Sequence, residues 1–338
     1  MLSRIKEFLI GPPLSTQSIA HSHLNKIRAL AAFSPDALAS IAYANQEIYL
    51  GLVVAGSAGL VYAFPIGLAI ILVLSIVGIS YHQTIHAYPS GGGSYHVARS
   101  NLGEKTGLVT AAALLINYLL NAAVSLTAGV AAIASAFPAL WPHRVLIALL
   151  LLLLITLINL RGLQEAGSIM AVPVYLFLFV FLGMLAYGFI RLFIVGPVPY
   201  PAVDLPAAQP VTFYLLLHAF STGVTALTGI EAISNGVPAF QPPREKNASR
   251  TLLVMVFLMG LLFLGSISLT RFLGVTAGAE ETILSALARR LFDESFFYYL
   301  VQVVTLGILV VATNTSFAGF PRLAAILASD GFLPRQFA

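Results

Sequence analysis

The chain has 338 residues, of which 59% are hydrophobic and only 9% charged. That is too few charges to coat a soluble domain and too much apolar side chain for one globular core. The net charge of +4 is dispersed over many short joints rather than gathered in a nucleic-acid patch, and the absence of cysteine excludes a disulfide frame, a thiol nucleophile and a thiolate metal site.

Long apolar runs recur from end to end, and a bilayer core of about 30 Å needs about 20 apolar residues per helix. The chain therefore reads as an all-α polytopic membrane protein. Pro12, Pro13 and a polar run through Asn25 follow only a short apolar patch, so residues 1–32 lack a secretory core and are expected to remain as a cytoplasmic N-terminal segment. Eight membrane segments are predicted, at 33–60, 63–86, 107–137, 145–161, 168–193, 212–239, 251–273 and 296–318.

The first segment carries Asp36, Asn45, Gln46 and Glu47. An ionisable group at the centre of a membrane helix costs about 2.5 to 3.5 kcal/mol on insertion scales, so it is expected to face a cavity or a partner. Asp36 reads either as a pathway residue or, after Ser34 and Pro35, as part of a helix cap. Glu47 reads as a packing or network residue, with a ligand role as the alternative. Between the second and third segments, residues 88–107 hold a glycine run and then a predicted short helix. The GxxxxGK[ST] spacing of a phosphate loop is missing there.

In the third segment Asn117, Asn121 and Ser125 fall at i, i+4 and i+8, a polar stripe on one helix face. Such a stripe can line a site or bond neighbouring helices together. The proline-rich stretch at 194–211 reads as a rigid extracellular connector. In the sixth segment Gly223, Gly229 and Gly236 alternate with Ser and Thr around Glu231, which is poor material for a continuous helix. A helix broken at mid-membrane is tolerated where its backbone lines a protein cavity. Ala32-Phe33-Ser34 and Ala219-Phe220-Ser221 open the first and sixth segments alike, and an offset of five segments reverses the sense of insertion, as an inverted repeat requires. Thr313, Asn314, Thr315 and Ser316 cluster in the last segment, where packing, a gate or an ion site would each account for them.

With the N-terminus inside, the cytoplasmic joints hold Arg4, Lys6, Lys26, Arg28, Arg99, Lys105, Arg161, Arg244, Lys246, Arg250, Arg322 and Arg335. The outer joints hold Arg144, Arg191, Arg271, Arg289 and Arg290. This excess inside satisfies the positive-inside rule.

Five motifs carry a family resemblance: "SPDALASIAYANQEI" from Ser34, "YPSGGGSYHVARSNLG" from Tyr88, "AAALLINYLLNAAVS" from Ala111, "NLRGLQEAGS" from Asn159 and "TALTGIEAISNGVPAF" from Thr225. In combination they resemble the amino acid/polyamine/organocation superfamily of secondary transporters, and within it the KimA-type proton-coupled potassium importers. The resemblance implies the LeuT-like inverted-repeat fold with broken first and sixth helices. Residues 33–193 would form a first repeat of five helices and 212–338 a partial second repeat of three, whereas the full core has ten. The cytosolic regulatory region of those importers is not among the residues of this chain.

The resemblance also implies that Asp36, Tyr43, Asn117, Asn121, Ser125 and Thr228 surround the substrate, that Glu231 handles the coupling proton, and that a potassium-type cation is held by Asp36, Asn117 and Thr228. Asn117 and Asn121 replace an aspartate and a threonine of those importers; an amide oxygen coordinates a cation but brings no charge. The first helix lacks the Gly-Ser-Gly type turn that receives a carboxylate in amino acid permeases, and Asp36 would repel an anion there.

The expected function is proton-coupled import of a monovalent cation such as potassium into the cell, with an amino acid or amine substrate as the alternative. The partners are the bilayer, protons and the substrate, with a homodimer as an open option; no cofactor is implied. A channel would lack the expected filter sequence, and an intramembrane enzyme has neither a thiol nor an HExxH motif to use. An inactive partner subunit is the remaining alternative.

Overall fold

The computed structural model describes residues 24–89, 91, 93–160, 167–201 and 204–337, without the side chains of 167–170. Arg4, Lys6, most of the 1–32 segment, Ser90 and Gly92 of the glycine run, and Arg161 with the middle of the motif beginning at Asn159 lie outside the described residues.

The described chain is helical throughout. A short helix α1 (Lys26–Phe33) is followed, across Ser34, by α2 (Pro35–Val53), and a kink at Val54 and Ala55 leads into α3 (Gly56–Leu60). Then come α4 (Ala63–Ala87), α5 (Ser94–Leu102), α6 (Glu104–Ala136), α7 (Arg144–Leu160) and α8 (Gly167–Val195). After the connector the order is α9 (Phe213–Gly223), α10 (Ala232–Asn235), α11 (Arg244–Phe272), α12 (Ile283–Phe292) and α13 (Phe296–Ser329).

Seven stretches are long and apolar enough to cross a membrane: Gly56–Ala87, Glu104–Ala136, Pro138–Leu160, Ala171–Val195, Phe213–Asn235, Arg244–Phe272 and Phe296–Ser329. The eighth expected segment, the first in the chain, is not among them. Its helix α2 has 19 residues and spends four of them on Asp36, Asn45, Gln46 and Glu47. The physical reason is burial: every residue from Pro35 to Asn45 is buried by other helices. A helix surrounded by protein needs no lipid-compatible surface. By contrast α7 turns Val145, Leu146, Leu149, Leu150, Leu153 and Leu154 outward, the face a lipid-exposed helix requires.

Close approach of helices rests on small residues. A Cβ on Gly51 of α2 would lie 3.0 Å from Ala219 of α9, and one on Gly129 of α6 would lie 3.0 Å from Leu306 of α13. Lipid tails are as apolar as leucine, so such packing, rather than exclusion from water, holds membrane helices together. The same contacts set α2 against α9 and α6 along α13. Inside this frame Leu38, Ile41, Ile48, Leu52, Ile70, Phe177, Phe181 and Phe263 are fully buried.

Two interruptions face each other. α1 and α2 are separated at Ser34, which keeps near-helical dihedrals, while the sixth segment runs from α9 through a 3-10 turn (Val224–Leu227) into an unwound stretch at 228–231 before α10 resumes. Gly229 has φ +79°, and a Cβ there would meet Ala37 N at 2.7 Å and the Asp36 side chain at 2.8 Å. Only glycine supplies both that dihedral and that approach. Gly229→Val should therefore abolish the folded, monodisperse fraction on detergent size exclusion. Gly183→Ala, in open space on α8, should leave it intact; equal behaviour of the two variants would remove the close approach as a determinant of the fold.

Candidate functional site

The first turn of α2 places Asp36 beside the unwound stretch. Ser34 occupies the helix cap, its hydroxyl has no partner among the described residues, and Pro35 sits at the first helical position. The Asp36 carboxylate therefore does not cap the helix. Its Oδ1 accepts from Asn121 Nδ2 at 2.8 Å, while its position in the first turn puts it at the favourable end of the helix dipole.

Asn121 is the hub. Its Nδ2 donates also to Ser316 Oγ at 3.0 Å, and its Oδ1 accepts from Tyr43 OH at 3.4 Å and from Ser125 Oγ at 3.5 Å. One amide so engages α2, its own helix α6 and α13. Asp36, Tyr43, Asn121, Ser125 and Ser316 are all buried. Thr228 stands beside the Tyr43 hydroxyl and donates to Thr225 O at 2.7 Å. Glu231, at the end of the unwound stretch, is within electrostatic range of Asp36, Tyr81 and Tyr118. Asn117 lies one turn from Asn121 on the same face, half-buried, with no hydrogen-bond partner among the described residues. The structure thus gathers Asp36, Tyr43, Asn121, Ser125, Thr228 and Glu231, and leaves Asn117 beside them unengaged.

Among the described residues no Lys, Arg or His forms an ion pair with Asp36 or Glu231. The donors assembled here are carboxylate, amide and hydroxyl oxygens. Oxygen sets of this kind suit hard cations, not the softer transition metals. Among the described residues no cluster of three His, Asp or Glu side chains resembles a resident metal site.

The two ends of the site differ. Towards the face carrying Trp141, Tyr43 forms the floor of a cavity of about 610 Å³, walled among others by Glu47, Thr127, Trp141, Arg144, Glu281 and Thr305. Towards the face carrying Leu24 described segments are drawn together, while Asn117, Thr228 and Glu231, which do not line that cavity, stay half-buried. Leu24 N donates to Ala239 O at 2.8 Å, Gln241 N donates to Leu24 O at 3.1 Å, and Phe33 stacks on Phe240 with centroids 5.7 Å apart. Gly91 and Gly93 of the glycine run press against Pro238 and Asn235, the latter so tightly that a Cβ on Gly93 would lie 2.4 Å from Asn235 Oδ1. On the same face Arg99 pairs with Asp330.

Several members escaped sequence reasoning. Ser316 sat in a polar cluster with three candidate roles, and nothing in one dimension pointed it at Asn121. Tyr81 and Tyr118 offered no signal. Glu47, read as a packing or network residue with a ligand as the alternative, lines the cavity.

A helical frame crossing a membrane and interrupted twice at an interior oxygen cluster marks a polytopic transport protein. A family model described as "Amino acid permease" matches residues 30–338. Over 340 aligned residues the chain is 46% identical to the potassium transporter KimA of Bacillus subtilis (strain 168), an alignment taking in 100% of the chain and 56% of that relative. The chain spans little more than half the length of the relative it matches. It belongs to the amino acid permease family.

The hub has a measurable consequence. Asn121→Leu orphans the Asp36 carboxylate, and a buried polar group left unpaired costs roughly 1–3 kcal/mol. The apparent Tm in detergent should fall by several degrees, and the Asp36→Asn, Asn121→Leu double variant should recover part of that loss because the charge is gone. Additive losses in a thermal-shift assay would show that the two side chains are not coupled.

Proposed function

We propose that this chain forms the membrane core of a proton-coupled importer of a monovalent cation, with potassium as the substrate. The observation that carries this reading is the pair of interior carboxylates, Asp36 buried and Glu231 half-buried, held in electrostatic contact without a basic partner among the described residues. Two like charges in a low-dielectric site repel each other unless a cation or a proton stands between them. Asp36, with the neighbouring oxygens of Asn117, Asn121 and Thr228, holds the cation. Glu231 takes up and gives back the coupling proton. Tyr43 and Ser125 complete the wall. The name of the relative, a potassium transporter, supports the choice of ion.

In this reading the N-terminus is cytoplasmic in the cell membrane, consistent with the basic residues of the joints, so the cavity below Trp141 opens outside and the Phe33–Phe240 stack closes the inside. Residues 33–193 and 212–338 act as the two inverted repeats of the LeuT-like fold, the second one partial. Rocking of one helix bundle against the other then exposes the cluster to each side in turn. An amine or amino acid remains the second reading because Asn117 and Asn121 bring amide groups instead of charge to the third-helix stripe.

Rubidium uptake into proteoliposomes under an imposed pH gradient tests the assignment. Asp36→Asn should abolish uptake. Glu231→Gln should retain downhill flux yet lose accumulation driven by the gradient, since Gln cannot carry the proton. Accumulation by Glu231→Gln equal to that of the parent chain would refute the proton role. Failure of the folded parent chain to take up rubidium would shift the assignment to an organic cation.

A further inference from the structure

Leu24 O accepts from Gln241 N at 3.1 Å, and Gln241 O accepts from Asn247 Nδ2 at 2.9 Å. These bonds hold the start of α1 beside the first turn of α11, and the two helices pack on each other. The side chains of this corner are basic. Lys26 and Arg28 of α1 and Arg244, Lys246 and Arg250 of α11 are all exposed, against one acid, the half-buried Glu245. Lys26, Arg28, Lys246 and Arg250 form no ion pair with any described residue. Four cations left unneutralised on two adjoining helices create a local field that an external anion relieves.

Depth decides which anion. The uncharged run 251–270 of α11 lies between Arg250 and Arg271. At 1.5 Å per residue it is about 30 Å long, the thickness of the hydrocarbon core. The first two turns of α11 therefore stand in the headgroup layer. Lys246, Arg250, Val254, Phe257 and Leu261 recur at intervals of three or four residues, which is one helix face, and all five are exposed. Two cations thus head an apolar stripe turned to lipid. On α1 the arrangement recurs in miniature: Ile27, between Lys26 and Arg28, is 67% exposed.

We propose that α1 and the first two turns of α11 form a docking surface for an anionic glycerophospholipid, its phosphate drawn to Lys26, Arg28, Lys246 and Arg250 and one acyl chain laid along Val254, Phe257 and Leu261. A soluble phosphate meets the same cations and leaves the apolar stripe unused. A zwitterionic lipid brings the chain without the net charge. The bound lipid also has a mechanical consequence. α1 is fastened to the end of the sixth segment through Leu24, and to α8 through Tyr175 OH, which donates to Ile27 O at 2.8 Å. A phosphate shared by α1 and α11 adds a further fastening, so the stability of this corner depends on lipid charge. The inference needs only a membrane-embedded chain and is independent of which ion is transported.

The test titrates the full chain in detergent micelles with phosphatidylglycerol or phosphatidylcholine, counting bound lipid by native mass spectrometry and reading the apparent Tm in parallel. The parent chain should retain phosphatidylglycerol saturably, with a rise in Tm, and bind phosphatidylcholine at least about tenfold more weakly. The Lys26→Gln, Arg28→Gln pair and the Lys246→Gln, Arg250→Gln pair should each weaken the phosphatidylglycerol midpoint, by about fivefold per cation removed. Phe257→Ala should weaken it less. The Lys105→Gln, Arg335→Gln pair removes the same charge from exposed positions elsewhere and should leave the midpoint unchanged. Equal midpoints in the parent chain and both folded patch pairs overturn the site. So does an equal loss in the Lys105, Arg335 pair, which would reduce the attraction to net charge. Glycerol phosphate binding as tightly as the lipid would assign a soluble anion, and a dimer on size exclusion that the patch variants dissociate would assign the face to a second copy of the chain; either result overturns the lipid assignment.

Discussion

The bond from Asn121 to Asp36 is the contact on which the interior depends. A membrane interior offers no water to satisfy a carboxylate, so an acidic group there must find donors in the protein or draw in a counter-charge. Asn121 supplies one donor to Asp36, uses its second on Ser316, and accepts from Tyr43 and Ser125. A single amide with both its hydrogens and its oxygen engaged ties α2, α6 and α13 into one arrangement. It does so without cancelling the charge, which is why the cluster remains suited to a cation.

The same constraint explains why α2, which carries Asp36, Asn45, Gln46 and Glu47, is so enclosed by protein. α2 spends its polar side chains on partners along its whole length: Asn45 on Thr270, Gln46 on the first amide of α12, and Tyr49 on both the amide and the carbonyl of Ala277. These bonds fasten α2 to the segments that cover the Trp141 face. At its other end Gly229 brings the unwound stretch of the sixth segment against Asp36, and Phe33 stacks on Phe240. The two ends of the same helix are therefore held by different kinds of contact.

Much of the frame was legible in the sequence because bilayer thickness converts apolar length directly into helices, and because glycine, proline and intramembrane acids are informative wherever they occur. The polar stripe at Asn121 and Ser125, the interruption around Gly229 and the intramembrane acids Asp36 and Glu231 all announced themselves in this way. The amphipathic helix α12 did not, because its ten residues are too short to register as a span. Asn117 and Asn121 are indistinguishable by spacing, and only the approach of α2 and α13 makes one a hub and leaves the other unengaged. Glu47 had the same composition-level signature as a network residue and became a cavity residue through the placement of α7 and α13.

By itself, the sequence determined that the chain is a bundle of membrane helices, that its sixth segment breaks, and that a few acids sit where lipid forbids them. These are local consequences of hydropathy, backbone freedom and desolvation, each decided within about one helix length. Tertiary structure alone decided which oxygens converge, that Ser316 rather than Asn117 completes the hydrogen bonds of Asn121, and that Tyr43 divides a cavity from a cluster. Those facts depend on distances between helices far apart in the chain, and hydropathy carries no information about which face of one helix meets which face of another.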